Sequence, residues 1–290
     1  MTNGERATAA LPQGTVAYRD LGQGEPLLFV HGLLVDGRLW DGVAERLATD
    51  HRCIVADWPM GSHRIAMNPG ADLSPTGMVE VIVAFMDALG LEQVTLVGND
   101  SGGAISQMLA ASHPDRVRRL VLTNCDTLEH FPPFPFSLMG PVARLPGGMT
   151  ALALPFRVAA IRRFTYGMLA EQPIAPELID DWLAPSMSDA GVREDARKLT
   201  VGAHKRHTLA AAEGLRSFER PVRFAWGTDD RFFKRAHAER LAAMIPDARI
   251  EPVPGAGTFS PLDQPERVAD LIAGFVAEDS SADAAPESTA

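Results

Sequence analysis

Fourteen residues, Val94 to Gln107 (VTLVGNDSGGAISQ), constrain the fold of this chain more than any other stretch. A β-rich apolar run ends in Gly98-Asn99-Asp100-Ser101-Gly102-Gly103, and a helical segment begins at once. Small residues two before and two after the central position allow a strained strand-to-helix turn that holds the central side chain, Asp100, above the helix N-terminus. The free N–H groups of that terminus favour negative charge, so they stabilise a carboxylate, and the Ser101 N–H can donate to an oxyanion. Two other readings exist: an ordinary strand-helix turn with Asp100 as its N-cap, and a register one residue later with Ser101 as nucleophile. Glycine at both flanks plus Gly103 favours the strained turn at Asp100, and the shifted register would put Asn99 in the small position.

The rest of the chain repeats the strand-then-helix rhythm, the sequence form of a mostly parallel sheet covered by helices on both faces. Strands are expected at Pro26–Val30, Cys53–Ala56, Val94–Val97, Leu120–Thr123, Val222–Trp226 and Ile250–Val253, with a more polar antiparallel edge strand around Thr15–Arg19. Helical periods fall near 36–48, 74–89, 101–112, 234–244 and 264–276. From Asp126 to Phe218 no strand candidate occurs. A structureless loop of that length does not fit a compact domain, so the segment reads as a helical cap over the strand ends. The expected organisation is therefore an α/β core over 12–125, a helical cap over 126–218, a second part of the core over 219–278, and a disordered tail over 279–290.

Composition narrows the function classes. The chain has 290 residues, 46% of them hydrophobic and 22% charged, which suits a soluble globule. Its net charge of -10 would be repelled by nucleic acid or an anionic membrane, so neither is expected as a partner. Cys53 and Cys125 lie in apolar runs and read as buried free thiols of a reducing compartment. No export leader is evident at the start of the sequence and no run of 18 apolar residues occurs, so a cytoplasmic protein is expected.

Two further segments fall where a site at Asp100 needs them. The strand LFV runs into His31-Gly32, after which the N–H of Leu33 or Leu34 can complete an oxyanion hole with that of Ser101. The strand VRFAW runs into Gly227-Thr228-Asp229-Asp230, an acidic pair just beyond a strand's carboxyl end, where open α/β sheets bind ligands.

Taken in order, the strand-His-Gly segment, Asp57-Trp58-Pro59 with Gly61, the Gly98–Gly103 elbow, the helical insertion and Trp226-Gly227-x-x-Asp230 resemble the α/β-hydrolase fold superfamily over about residues 12–278. The resemblance is to its aspartate-nucleophile branch, the epoxide hydrolases and haloalkane dehalogenases. It implies Asp100 as nucleophile, Asp230 as the acid that orients the base, and Leu33 and Ser101 as oxyanion donors. Asp229 and Asp126 are the second and third choices for the acid.

The pattern breaks at the base. The branch carries a histidine after the last strand, whereas this chain reads Gly255-Ala256-Gly257-Thr258-Phe259 with the surrounding register intact, and no histidine follows His237. Threonine takes no proton at neutral pH, and a positioned general base contributes roughly 10²- to 10⁴-fold in rate. His63 is the first candidate replacement, His31 the second polar group near the oxyanion loop, and His204 and His207 candidate substrate contacts; His51, His113, His130 and His237 read as surface or packing residues. The two ring-protonating tyrosines of epoxide hydrolases are not reproduced, since only Tyr166 lies in the cap, nor is the dehalogenase tryptophan after the nucleophile, where Ser101 stands. Tyr166 and Trp182 remain candidate substrate-binding donors, with helix packing as the alternative. The expectation is a hydrolase with no cofactor and no metal, acting through Asp100 on a small apolar epoxide or alkyl halide. Its alternatives are a non-hydrolytic acid/base enzyme using Asp100 and Asp230 (isomerase, lyase or cyclase) and a ligand-binding protein that has lost turnover.

Overall fold

The computed structural model describes residues 6–283. Its frame is one eight-stranded sheet built from β1 (Arg6–Leu11), β2 (Gly14–Leu21), β3 (Pro26–Val30), β4 (Arg52–Ala56), β5 (Val94–Asp100), β6 (Val117–Cys125), β7 (Val222–Gly227) and β8 (Ala248–Val253). The spatial order is β1-β2-β4-β3-β5-β6-β7-β8. The pairs β1·β2 and β2·β4 are antiparallel, and all later neighbours are parallel. The polar strand at Thr15–Arg19 is thus not the edge. It lies in β2, and the edge is β1, which starts ahead of residue 12. The segment RATAAL is built mostly of small residues, so its period is faint, yet Ala9 and Leu11 turn into the core.

The two faces of the sheet bury alternate residues, as a period of two requires. Leu28, Leu96, Leu120 and Phe224 face one layer with Ile82 and Phe85 of the helix Pro75–Ala88. Leu27, Phe29, Val97 and Val121 face the other layer with Trp40, Val268 and Ile272. Both faces being covered explains why β5 reads as a continuous apolar run, buried from Val94 through Asn99. Leu96 is in register with Leu28 and Leu120 on its two neighbours and has no exposed surface. Leu96→Ala is expected to cost about 2–5 kcal/mol, read as a lower urea midpoint at an unchanged slope.

Between Cys125 and Val222 the described residues hold no strand of the sheet. The segment winds through the helices Met139–Ala143, Gly148–Ala153, Ala159–Gly167, Pro176–Ser188, Ala190–Gly202 and Lys205–Gly214. The last helix, Pro265–Asp283, runs past the expected start of a disordered tail at 279. Val268, Ile272, Phe275 and Val276 anchor it on the sheet, and no proline intervenes before Pro286. Residues 284–290 lie outside the described residues. Among the described residues no helix is long and apolar enough to cross a membrane, and Cys53 and Cys125 are buried and unpaired.

Candidate active site

Asp100 closes β5 and precedes the helix Ser101–Ser112 with φ 54° and ψ −134°, a backbone conformation an L side chain rarely adopts. Close contact with the β3 loop explains its neighbours. A Cβ on Gly102 would lie 2.2 Å from the His31 carbonyl oxygen, and one on Gly32 would lie 1.9 Å from Asp100 Oδ2. Asp100, not Ser101, therefore occupies the strained position. The Ser101 Oγ is engaged by the Leu33 N–H, which donates to it at 2.9 Å. The N–H groups of Leu33 and Ser101 also reach the Asp100 carboxyl and lower its proton affinity. Burial outweighs them and, with repulsion from Asp230, pushes Asp100 up to about 7.

Asp230 sits just beyond β7, largely buried. Its Oδ1 accepts from the N–H groups of Phe232 (2.7 Å) and Phe233 (2.9 Å), and its Oδ2 accepts from Asn124 Nδ2 (2.7 Å). The Thr258 hydroxyl donates to the same carboxylate, 3.1 Å from either oxygen. Burial raises the Asp230 proton affinity and these donors partly offset it. Asp229 is exposed and accepts from the Gly255 N–H, so it fastens the loop. Asn99 ties the elbow to that loop, donating to the Thr123 hydroxyl and to the carbonyls of Asn124 and Thr258.

Above Asp100 lies a cavity of about 470 Å³ between sheet edge and helical insertion. Phe131, Phe136, Phe156, Leu169 and Phe232 give it an apolar wall, and Asp100, Ser101 and Asp126 supply charged and polar groups. Neither Asp230 nor Thr258 lines it, and no histidine does among the described residues. His31 is fully buried: its Nε2 accepts the Trp58 N–H at 2.8 Å, and Nδ1 lies 2.9 Å from the Gly32 carbonyl. Burial lowers its proton affinity, so it holds the oxyanion loop as a neutral ring. His63 is spent on Asp195 (3.1 Å) and the Gly61 N–H. His204 caps the helix Lys205–Gly214 through the Arg206 N–H, and His207 meets Arg206. The expected replacement bases are therefore not at the cavity.

The two insertion aromatics behave differently. Tyr166 lines the cavity, but its hydroxyl donates to the Leu34 carbonyl at 2.6 Å. Trp182 lies behind it, stacked on Tyr166 at 5.7 Å and edge-on to Phe259, with its N–H on Asp36 at 2.9 Å. Trp182 is thus a packing residue rather than a substrate contact, and its replacement acts on stability first.

Asp126, one residue beyond β6, was legible only as a third choice for the orienting acid. It is 2% exposed, it lines the cavity with Asp100, and its Oδ1 has no hydrogen-bond partner. Burial first and the Asp100 charge next hold its carboxyl well above the usual carboxylate range. The available signal was position, since the carboxyl ends of parallel strands are where such sheets bind ligands.

This proton affinity has a stability consequence. An unfolded Asp ionises near pH 4, so above that the folded chain retains a proton that the unfolded chain has released. Each such proton lowers stability by about 1.4 kcal/mol per pH unit until the folded value is passed. Asp126→Asn removes the cost. Its unfolding free energy should gain on the parent between pH 5 and pH 7; a constant difference across that range would show that Asp126 is ionised in the fold.

The α/β-hydrolase fold model matches residues 25–265. The chain belongs to the α/β-hydrolase fold family. It is 27% identical over 269 residues to haloalkane dehalogenase 2 of Mycobacterium tuberculosis, covering 90% of this chain and 91% of that one. It is 27% identical over 273 residues to the cis-3-alkyl-4-alkyloxetan-2-one decarboxylase of Shewanella oneidensis, covering 90% and 85%. The crystal structure of haloalkane dehalogenase DbeA from Bradyrhizobium elkani superposes with a TM-score of 0.81 over 96% of this chain and 99% of that one, at 20% identity, which shows the shared fold.

Proposed function

We propose that this α/β-hydrolase acts through Asp100 as a nucleophile on an electrophilic carbon of a small or medium apolar molecule, an epoxide or an alkyl halide, held in the cavity between sheet edge and helical insertion. The observation that carries the reading is the seat of Asp100: a carboxyl at the strained elbow, against the Leu33 and Ser101 N–H groups, facing a cavity walled by aromatic and aliphatic side chains. Attack by a carboxylate needs no proton removed from the nucleophile. It yields an ester whose carbonyl oxygen lies at two N–H donors, the arrangement that favours attack on that ester by water. The names of two relatives, a dehalogenase and an enzyme of a strained cyclic ester, fit chemistry at such a carbon.

A single turnover in ¹⁸O-enriched water tests this. Ester formation followed by hydrolysis at the carbonyl carbon puts the heavy oxygen on the peptide containing Asp100 and leaves the first product unlabelled. Direct attack by water puts it in the product. The second result would favour direct hydrolysis with carboxyls as acid and base, and label in neither product nor peptide the non-hydrolytic reading; that no histidine lines the cavity among the described residues supports both. In that case the carboxyl pair is Asp100 with Asp126, since Asp230 is turned to Thr258.

A further inference from the structure

Breaking a C–O bond and breaking a C–halogen bond ask different things of a site. A halide departs as a stable anion and needs only hydrogen-bond donors. An alkoxide is strongly basic and leaves with ease only if an acid delivers a proton to it. The donors around this cavity are largely committed. The Leu33 and Ser101 N–H groups sit on Asp100, the Tyr166 hydroxyl on the Leu34 carbonyl, the Thr200 hydroxyl on the Ala196 carbonyl, and the Trp182 N–H on Asp36. Thr165 adds a hydroxyl to the wall, too weak an acid to give up its proton at neutral pH. One acidic group remains: the buried Asp126 carboxyl, with an unpartnered oxygen, on the same cavity as the nucleophile.

We propose that Asp126 is the acid and then the base of a two-step hydrolysis, and that the substrate's leaving atom is oxygen, as in an epoxide or related strained cyclic ether. The inference rests on Asp100 as nucleophile. In the first step an Asp100 oxygen forms a bond to the ring carbon, the ring C–O bond breaks, and the departing oxygen takes the proton of Asp126. In the second step water gives a proton to the Asp126 carboxylate as its oxygen adds to the Asp100 ester carbonyl, and the oxyanion rests on the Leu33 and Ser101 N–H groups. Collapse breaks the ester C–O bond, and the diol oxygen recovers the proton from Asp126. The pair ends with one proton, as it began, and Asp126 regains it.

The electrostatics of the pair suit this alternation. While Asp100 is ionised, burial first and the Asp100 charge next keep Asp126 protonated, ready as an acid. Once Asp100 is an ester that charge is gone, so Asp126 holds a proton less tightly at the stage where it acts as base. One carboxyl serving as acid and then as base is the established logic of covalent glycoside hydrolysis. It also gives Thr258 a meaning, because a site whose base arrives with the first step has no need of a histidine on Asp230.

Matched 1,2-epoxyalkanes and 1-bromoalkanes of equal chain length test the assignment. The parent should convert an epoxyalkane to the diol, and should carry a bromoalkane-derived ester on the peptide containing Asp100, since halide departure leaves Asp126 protonated. Asp126→Asn should lose epoxide conversion by roughly 10²- to 10⁴-fold and lose far less of the bromoalkane esterification rate, since halide departure needs no acid. Undiminished epoxide conversion in Asp126→Asn overturns the proposal. So does a parent that forms the halide ester but opens no epoxide, an outcome that leaves Asp100 as nucleophile standing. Since a misfolded variant would lose both reactions, Asp126→Ser is run in parallel, and loss of both in each variant also overturns the proposal. A parent that takes no label and converts nothing removes the nucleophile reading, and the role of Asp126 with it.

Discussion

Asp100→Asn is expected to abolish ester formation at the elbow and to lower epoxide turnover by roughly 10⁴- to 10⁶-fold, the scale on which removal of a covalent nucleophile is felt. The amide matches the carboxyl in volume, so the cavity and the glycine contacts at Gly32 and Gly102 are undisturbed. What changes is charge: the neutral amide is a poor nucleophile and no longer pairs with the Leu33 and Ser101 N–H groups as an anion. Thermal stability should not fall, because a buried carboxyl pushed up to about 7 is itself a cost at neutral pH. In the parent, the bromoalkane reaction should rise with pH through about 7, since only the ionised Asp100 attacks and no acid is needed. Peptide mass and initial rates read both effects. An Asn variant that keeps a tenth of the parent's turnover would take Asp100 out of the chemistry, both as nucleophile and as half of an acid/base pair.

Much of this arrangement was legible because it is local. The Gly98–Gly103 elbow is written in consecutive residues, and each of β3 to β7 carries an apolar run that parallel pairing demands on both faces. The family resemblance set Asp230 and Thr258 at the positions of an acid and the base it orients, and the two groups meet at 3.1 Å. Local pattern fails where a residue's partner is distant in sequence. His63 and Asp195 are 132 residues apart, and Trp182 and Asp36 are 146 apart. Nothing near either His63 or Trp182 says that its polar atom is already engaged. Asp126 is the reverse case. Its neighbours look like the start of a loop, and only the folded chain sets its carboxyl beside Asp100 with no partner for one oxygen.

Thr258→His should give this loop a base, and the place to see this is an enzyme already stalled at the ester. In Asp126→Asn loaded with a bromoalkane, the Asp100 ester has no carboxylate beside it to activate water. The frame for a histidine is nonetheless in place. Asp230 is fixed by the Phe232 and Phe233 N–H groups and by Asn124, while the Thr258 hydroxyl fills the point on its carboxylate that an imidazole N–H would take. The loop backbone is pinned on both sides, by Asn99 on the Thr258 carbonyl at 2.7 Å and by Asp263 accepting the Gly257 N–H at 2.8 Å. An imidazole extends further from that backbone than a hydroxyl does. Ester release in the double variant should therefore accelerate by roughly 10²- to 10⁴-fold, followed as loss of added mass from the Asp100 peptide. The acceleration should disappear on lowering the pH below the imidazole's titration, since only the neutral ring accepts a proton from water. If release stays as slow as in Asp126→Asn alone while labelling is intact, a ring at 258 does not reach the ester, and the loop has departed from the dehalogenase-like arrangement by more than one side chain.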